Sequence, residues 1–292
     1  MGHPERVSPM GGVEAYTPAE IARMVETKGV TKAGGATFPT FVLGVLAGAF
    51  IAFGAVLATI VGTGSEFGVG PTRWLAGFAF SLGLILVVVA GAELFTGNNL
   101  VVMSLVDGHI TFGQLMRNWG LVFVGNFVGA ISIVLMVWLA RGWEIAGGEV
   151  GVSALSIAAT KTSLPFEVTF VRGILCNVLV CLAVWLAMAG KTLVDKVFAI
   201  IFPIAAFVAA GFEHSVANMY FIPQGMLLRG EPGVVEQAEQ AGLTPDQLAS
   251  LDWGGMAANL TAATLGNVIG GGLLVGLTYW FVYLRPSRQG NA

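Results

Sequence analysis

From Ala33 to Ser65 the chain carries no ionisable side chain, and comparable charge-free stretches recur along its 292 residues. A run of this length exceeds the ~20 apolar residues that carry a helix across a bilayer. In hydrocarbon the backbone must satisfy its own polar groups, which restricts such segments to helices or a closed barrel. Only 11% of the residues are charged against 55% hydrophobic, and the mean hydropathy is +0.81. A soluble domain has nearer ~25% charged residues, so the composition describes an integral membrane protein. The net charge of −3 is spread over the loops, and no basic, aromatic-interleaved patch marks a nucleic-acid partner. No positively charged segment leads directly into a short apolar core, so no cleaved signal peptide is expected. Cys176 and Cys181 fall in one predicted helix, about 140° apart around its axis. They read as packing residues, since neither a disulfide nor a metal quartet can be built from them.

Hydropathy divides the chain into six predicted spans: Phe41 to Val61, Trp74 to Ala92, Asn118 to Ala140, Gly173 to Gly190, residues 197–228, and Trp253 to Leu284. Two of them are broken. The fifth holds Glu213 and His214 near its middle, where an ionisable pair is costly and does not face lipid. The second stops at Glu93 and resumes as an apolar run from Leu94 to Val106. Small residues around Glu213 (Ala209, Ala210, Gly211, Ala217) fit a helix that opens its backbone toward a protein-lined cavity.

Outside the spans, Thr17-Pro18-Ala19-Glu20 reads as a capping box. It opens a short amphipathic helix bearing Ile21, Met24 and Val25, expected on the membrane surface or against a neighbour. Residues 1–16 read as flexible and 142–166 as an aqueous loop, while the acidic segment between Arg229 and Asp252 carries a second capping box at Thr244.

The six spans contain a repeat of three. Phe41–Leu46 matches Phe170–Leu175, Gly91, Glu93 and Asn98 match Gly211, Glu213 and Asn218, and Gly125–Gly129 matches Gly266–Gly270, at offsets of 129, 120 and 141 residues. An odd number of spans inverts the second copy, the organisation in which channels and transporters place their site at the repeat interface. The reading is an all-α integral membrane protein with an inverted 3+3 repeat and discontinuous second and fifth helices. Its segments are a tail with amphipathic helix (1–36), a first repeat (37–141), a periplasmic loop (142–165), a second repeat (166–285) with an extramembrane loop at 229–252, and a short tail (286–292). With both termini in the cytoplasm, nine Lys and Arg lie inside (Arg6, Arg23, Lys28, Lys32, Arg117, Lys191, Lys196, Arg285, Arg288) against five outside.

His214 is the histidine predicted at membrane depth, and an intramembrane ionisable residue is by default a site. Its chemistry suits a small anion, whose charge an imidazolium offsets and to which it can pass a proton. Glu93 and Glu213 read as structural, each accepting hydrogen bonds from backbone donors freed where its helix stops. Thr96, Asn98, Asn99, Asn177, Asn218 and Asn267 are uncharged polar groups at similar depth, serving either helix packing or the pathway. Phe80, Leu84, Leu94, Phe95 and Phe207 are the large apolar residues nearest the breaks, and a pore for a small ion needs apolar constrictions. Lys161, in the loop before the fourth span, either draws anions to a vestibule or is merely solvated. No nucleophile–base set, metal quartet or phosphate loop points to an enzyme, and no cofactor is expected. A bis-histidine haem anchor needs a second histidine at membrane depth, and the paired Asn-Pro-Ala signatures of water and glycerol channels are absent.

The segments FSLGLILVVVAGAELFTGN (80–98), ITFGQLMRNW (110–119), GFEHSVANMYFIP (211–223) and GNVIGGGLLVGLTYW (266–280) closely resemble the formate/nitrite transporter family, especially its formate branch. The resemblance implies an aquaporin-like fold assembled as a homopentamer in the bacterial inner membrane, with one pore per subunit. It implies passage of formate and related small monovalent anions, with nitrite and hydrosulfide as other family substrates. Carried over by motif, Leu94, Phe95 and Thr96 lie on the loop gating the cytoplasmic mouth, with Leu84 in that constriction and Phe80 and Phe207 forming the periplasmic one. His214 becomes the central polar group with Thr96 as its partner, Asn177 and Asn267 line the passage, and Lys161 attracts anions at the outer vestibule.

Overall fold

The computed structural model describes residues 14–285, so the expected terminal tails, with His3, Arg6 and Arg288, lie outside the described residues. Those described form helices without strands. In chain order they are α1 (Pro18–Ala33), α2 (Thr37–Gly62), α3 (Val69–Gly91), α4 (Gly97–Val106), α5 (Phe112–Leu139), α6 (Glu149–Thr162), α7 (Phe166–Ala189), α8 (Leu193–Ala210), α9 (Ser215–Leu228), α10 (Pro232–Gln240), α11 (Pro245–Ser250) and α12 (Trp253–Leu284). Six of these, α2, α3, α5, α7, α8 and α12, are long and apolar enough to cross a membrane.

Every predicted span is present, with shifted ends. Helices α5 and α7 begin at Phe112 and Phe166 rather than at Asn118 and Gly173, because Arg117 and Arg172, read as span boundaries, sit inside the helices. Thr111 and Gln114 close a capping box ahead of Arg117. The Arg117 guanidinium then reaches back to the Gly35 carbonyl at 3.0 Å and Thr37 Oγ1 at 2.6 Å, which anchors the start of α2.

Both breaks occur at a glycine with positive φ, Gly91 at 81° and Gly211 at 73°. An L side chain is strained there. A π-helical turn, Val87–Gly91, closes α3 before the chain becomes extended at Ala92. After Gly211 two residues, Phe212 and Glu213, pass before His214 caps α9.

The stretch 142–166, expected to be an aqueous loop, instead contains α6, whose Val150, Ala154, Leu155, Ala158 and Ala159 are buried. Its alanine-rich face has too little hydropathy to register as a span but packs closely against α9. Helix α1 forms from its capping box as expected. It lies against neighbours, with Ile21, Ala22 and Val25 in one cluster with Leu100, Met103, Trp185 and Val275. Lys32 in α1 and Lys161 in α6 differ by the same 129 positions as Leu43 in α2 and Arg172 in α7. The repeat therefore reaches beyond three spans and takes in a shorter helix before each half.

Within each half the first span packs along the third, α2 on α5 and α7 on α12, while α3 and α8 meet across the halves. The crossings are backbone to backbone. A Cβ built on Gly129 would collide with the Val45 carbonyl, and one on Gly270 with that of Ile174, the close approach that small residues give helices in membranes. We predict that Gly129→Leu forces α2 and α5 apart at a cost of about 1–3 kcal/mol. The buried thiols of Cys176 and Cys181 allow the test, as a thiol-reactive dye should report a melting temperature about 2–10 °C lower than native.

Candidate functional site

Each broken helix leaves backbone groups that the helix itself no longer pairs, and one asparagine from the third span of the same half engages them. Asn126 of α5 accepts the Phe95 N–H at 2.9 Å and donates to the carbonyls of Gly44 at 2.7 Å and Glu93 at 2.9 Å. Asn267 of α12 repeats this, accepting the Ser215 N–H at 2.9 Å and donating to Gly173 at 2.8 Å and Glu213 at 3.0 Å. The Glu93 and Glu213 N–H groups close each break onto the carbonyls of Leu43 and Arg172.

The two glutamates were expected to take up freed backbone donors. The asparagines do that, and the carboxylates serve a different pair of partners. Glu93 Oε1 accepts from Lys32 Nζ at 2.7 Å and its Oε2 from Asn98 Nδ2 at 2.6 Å. Glu213 Oε1 accepts from Lys161 Nζ at 2.9 Å and its Oε2 from Asn218 Nδ2 at 2.6 Å. Asn118 and Asn259 complete the two sets, accepting from Asn98 and Asn218 and donating to the backbone carbonyls of Lys32 and Lys161. Lys161 thus lies on α6 rather than in a loop, and it lines a cavity. Its side chain is 14% exposed and its charge is matched by a carboxylate that is 4% exposed.

His214 sits between the halves. Its Nδ1 accepts the Ala217 N–H at 3.0 Å, capping α9, while Nε2 lies 3.0 Å from Thr96 Oγ1. With Nδ1 used as an acceptor, the tautomer that satisfies both contacts carries its proton on Nε2 and donates to Thr96. The ring stacks on Phe207 at 5.9 Å, and Phe207 meets Phe80 edge-on at 5.7 Å.

Two cavities approach this point from opposite ends of the molecule. One, of about 700 Å³, is lined by Lys28, Lys32, Glu93 and Lys196 near its mouth and runs in to Leu84 and Leu94. The other, of about 270 Å³, contains Lys161 and Glu213 and reaches Phe80, Phe207 and His214. Burial first, then the charges of Lys196 and Lys32, push the Lys28 ammonium below the usual lysine range.

His214, Thr96, Leu84, Leu94, Phe80 and Phe207 are therefore brought together. Phe95 is not among the residues lining either cavity, since its ring turns to Trp119 and Phe123 at 6.0 and 5.1 Å. Asn177 and Asn267 are fully buried braces. Asn177 Nδ2 contacts the Thr96 and Asn267 carbonyls and Asn99 Oδ1, which fixes the loop that carries Thr96. Sequence reasoning missed Lys32, Asn118, Asn126 and Asn259. The signal for Asn126 was its match to Asn267, used only to align the repeat.

Inverted halves, two broken helices meeting at mid-depth and a cavity entering from each end define a multi-pass membrane channel or transporter. A family model described as Formate/nitrite transporter matches residues 19–281, and the chain belongs to that family. It is 44% identical over 273 residues to the formate channel FocA of Escherichia coli (strain K12), covering 92% of this chain and 95% of that one. It is 36% identical to a probable formate transporter of Methanothermobacter thermautotrophicus, covering 94% and 99%. Among solved structures it matches a pentameric formate channel with formate bound at a TM-score of 0.78 and 39% identity, covering 85% of this chain and 98% of that one. It also matches an FNT family ion channel at 0.77 and 29%, covering 90% and 98%.

Removing one partner of a buried ion pair strands the other, at about 3–5 kcal/mol. Lys161→Met is accordingly expected to lower the melting temperature sharply in detergent, and adding Glu213→Gln to that variant should restore most of the loss. Recovery of less than half would show that the lysine acts through more than its pairing with Glu213.

Proposed function

We propose that the protein moves formate and related small monovalent anions across the bacterial inner membrane, with one route through each subunit of a homopentamer. The names of its relatives and the formate-bound, pentameric state of its structural neighbour support this reading. So does the observation that carries it: Thr96 Oγ1 and His214 Nε2, 3.0 Å apart, lie between a cavity that ends at Leu84 and Leu94 and one that reaches Phe80 and Phe207. In this reading the Lys32 end faces the cytoplasm, as the bias of Lys and Arg supports, and the Lys161 end faces the periplasm.

An anion entering from the Lys28–Lys32–Lys196 mouth is drawn by positive potential. It sheds water against leucine and phenylalanine side chains and recovers hydrogen bonds at the centre. There the Nε2–H of His214 and the Thr96 hydroxyl are donors placed for a carboxylate. A neutral imidazole with Nδ1 held by the Ala217 N–H acts as a hydrogen-bond donor. To hand over a proton and remain neutral, the ring must first become imidazolium, releasing the Ala217 contact. Hydrogen bonding by the neutral ring, and charge compensation or proton donation by the imidazolium, thus correspond to two states of one ring, separated by the cap at the start of α9.

The test is labelled-formate uptake and formate-evoked current in proteoliposomes at two external pH values. Native protein should carry formate in both assays, with uptake rising as the outside becomes acidic. His214→Ala should lose that acid dependence. Thr96→Val, which deletes one donor to a charged ligand, should reduce flux about tenfold or more. A native protein that passes nitrite or hydrosulfide but no formate would overturn the substrate assignment.

A further inference from the structure

We propose that Glu26, Asp107 and His109 form a binding site for a divalent transition-metal ion of the zinc class, apart from the anion route. The three residues come from two parts of the chain. Glu26 lies on α1, while Asp107 follows the last turn of α4 and His109 the tight turn after it. One donor atom from each falls within 4.8 Å of the others. His109 Nε2 is 3.0 Å from Glu26 Oε1 and 3.2 Å from Asp107 Oδ2. Zinc bonds of about 2.0–2.1 Å to nitrogen and oxygen in a tetrahedron place neighbouring donors about 3.3 Å apart, so the donors stand near the spacing that binding needs.

The surroundings fit a ligand set in three further respects. Trp280 donates its indole N–H to Asp107 Oδ1 at 2.7 Å, which fixes the carboxylate and leaves Oδ2 toward His109, the outer support that metal ligands take. Helix α1 is pinned beside the cluster by Ser104 Oγ, which donates to the Glu26 carbonyl at 2.7 Å. The carboxylates are 14% and 8% exposed while the imidazole is 50% exposed, so an ion can reach the cluster from the imidazole side. One imidazole with two carboxylates suits a borderline cation such as Zn²⁺ over the all-oxygen sets of Ca²⁺ or Mg²⁺.

Bound metal would tie α1 to the α4–α5 turn and, through Asp107, to the end of α12. Because α1 supplies Met24, Lys28 and Lys32 to the wall of the larger cavity, occupancy would steady that wall.

The test uses the full chain purified in detergent, stripped with chelator and titrated with Zn²⁺ alone. Native protein should bind one equivalent that His109→Ala and Asp107→Asn both lose. The asparagine keeps an acceptor for Trp280, so its loss of zinc reports the ligand and not the fold. At a hundredfold excess over Kd, zinc should raise the native melting temperature by about 5 °C, with no shift in either variant. Retention of the equivalent in His109→Ala, or a native melt indifferent to zinc, would overturn the site and leave a histidine lying between two carboxylates.

Discussion

A backbone that leaves its helix in hydrocarbon presents N–H and C=O groups that only protein can satisfy, each costing several kcal/mol if it fails to. Everything at the centre of this protein depends on meeting that requirement twice. Asn126 and Asn267 do so with one side chain each, their oxygens accepting an N–H from the far side of the break and their amides bridging two carbonyls. No aliphatic side chain can do this, and a carboxylate could serve the N–H but not the carbonyls. The breaks exist where a third span delivers an asparagine to them, and the centre of the molecule exists where the breaks meet.

Charge is handled in the same economical way. A carboxylate beside each break would repel an anion if left bare, yet each is held by a lysine from the short helix that precedes its half. The pair adds dipole without net charge, and the central donors, a threonine hydroxyl and a neutral imidazole, add none either. At the centre of the proposed route an anion meets hydrogen-bond donors and not a fixed positive charge, so it can be bound firmly enough to enter and loosely enough to leave. The lysines also explain why α1 and α6 belong to the repeat although neither is a membrane span by length. Without them the two breaks would each bury an uncompensated carboxylate.

Spans, breaks and the inverted repeat were legible in the sequence because each is written in local composition: charge-free runs, glycine beside glutamate, matched motifs at constant offsets. Helix α6 was hidden for the same reason. Its buried face is half alanine with polar residues between, which depresses hydropathy while preserving helical spacing. The Lys32–Glu93 and Lys161–Glu213 pairs join residues 61 and 52 positions apart, and no short-range pattern links them. Of the apolar residues near the breaks, Phe95 shows what sequence leaves open. Proximity in the chain put it beside the route, whereas the direction of its side chain takes it into the packing around Trp119.

The repeat also separates scaffold from chemistry. At the offset of 120 that pairs Glu93 with Glu213 and Asn98 with Asn218, His214 corresponds to Leu94, Thr96 to Val216, and Phe207 to Val87. The residues that satisfy backbone or balance charge are the same in both halves, because both breaks pose the same problem. Those that face one another at the centre differ. Symmetry there would place two imidazoles or two leucines opposite each other, the first crowding two groups of like function and the second offering no donor to a desolvated anion. With one half supplying the ring and the other the hydroxyl, the two groups meet at 3.0 Å between cavities lined by unlike residues. Phe80 and Leu84 are consecutive turns of α3, so along that wall the inner ends of the two cavities are only about 6 Å apart.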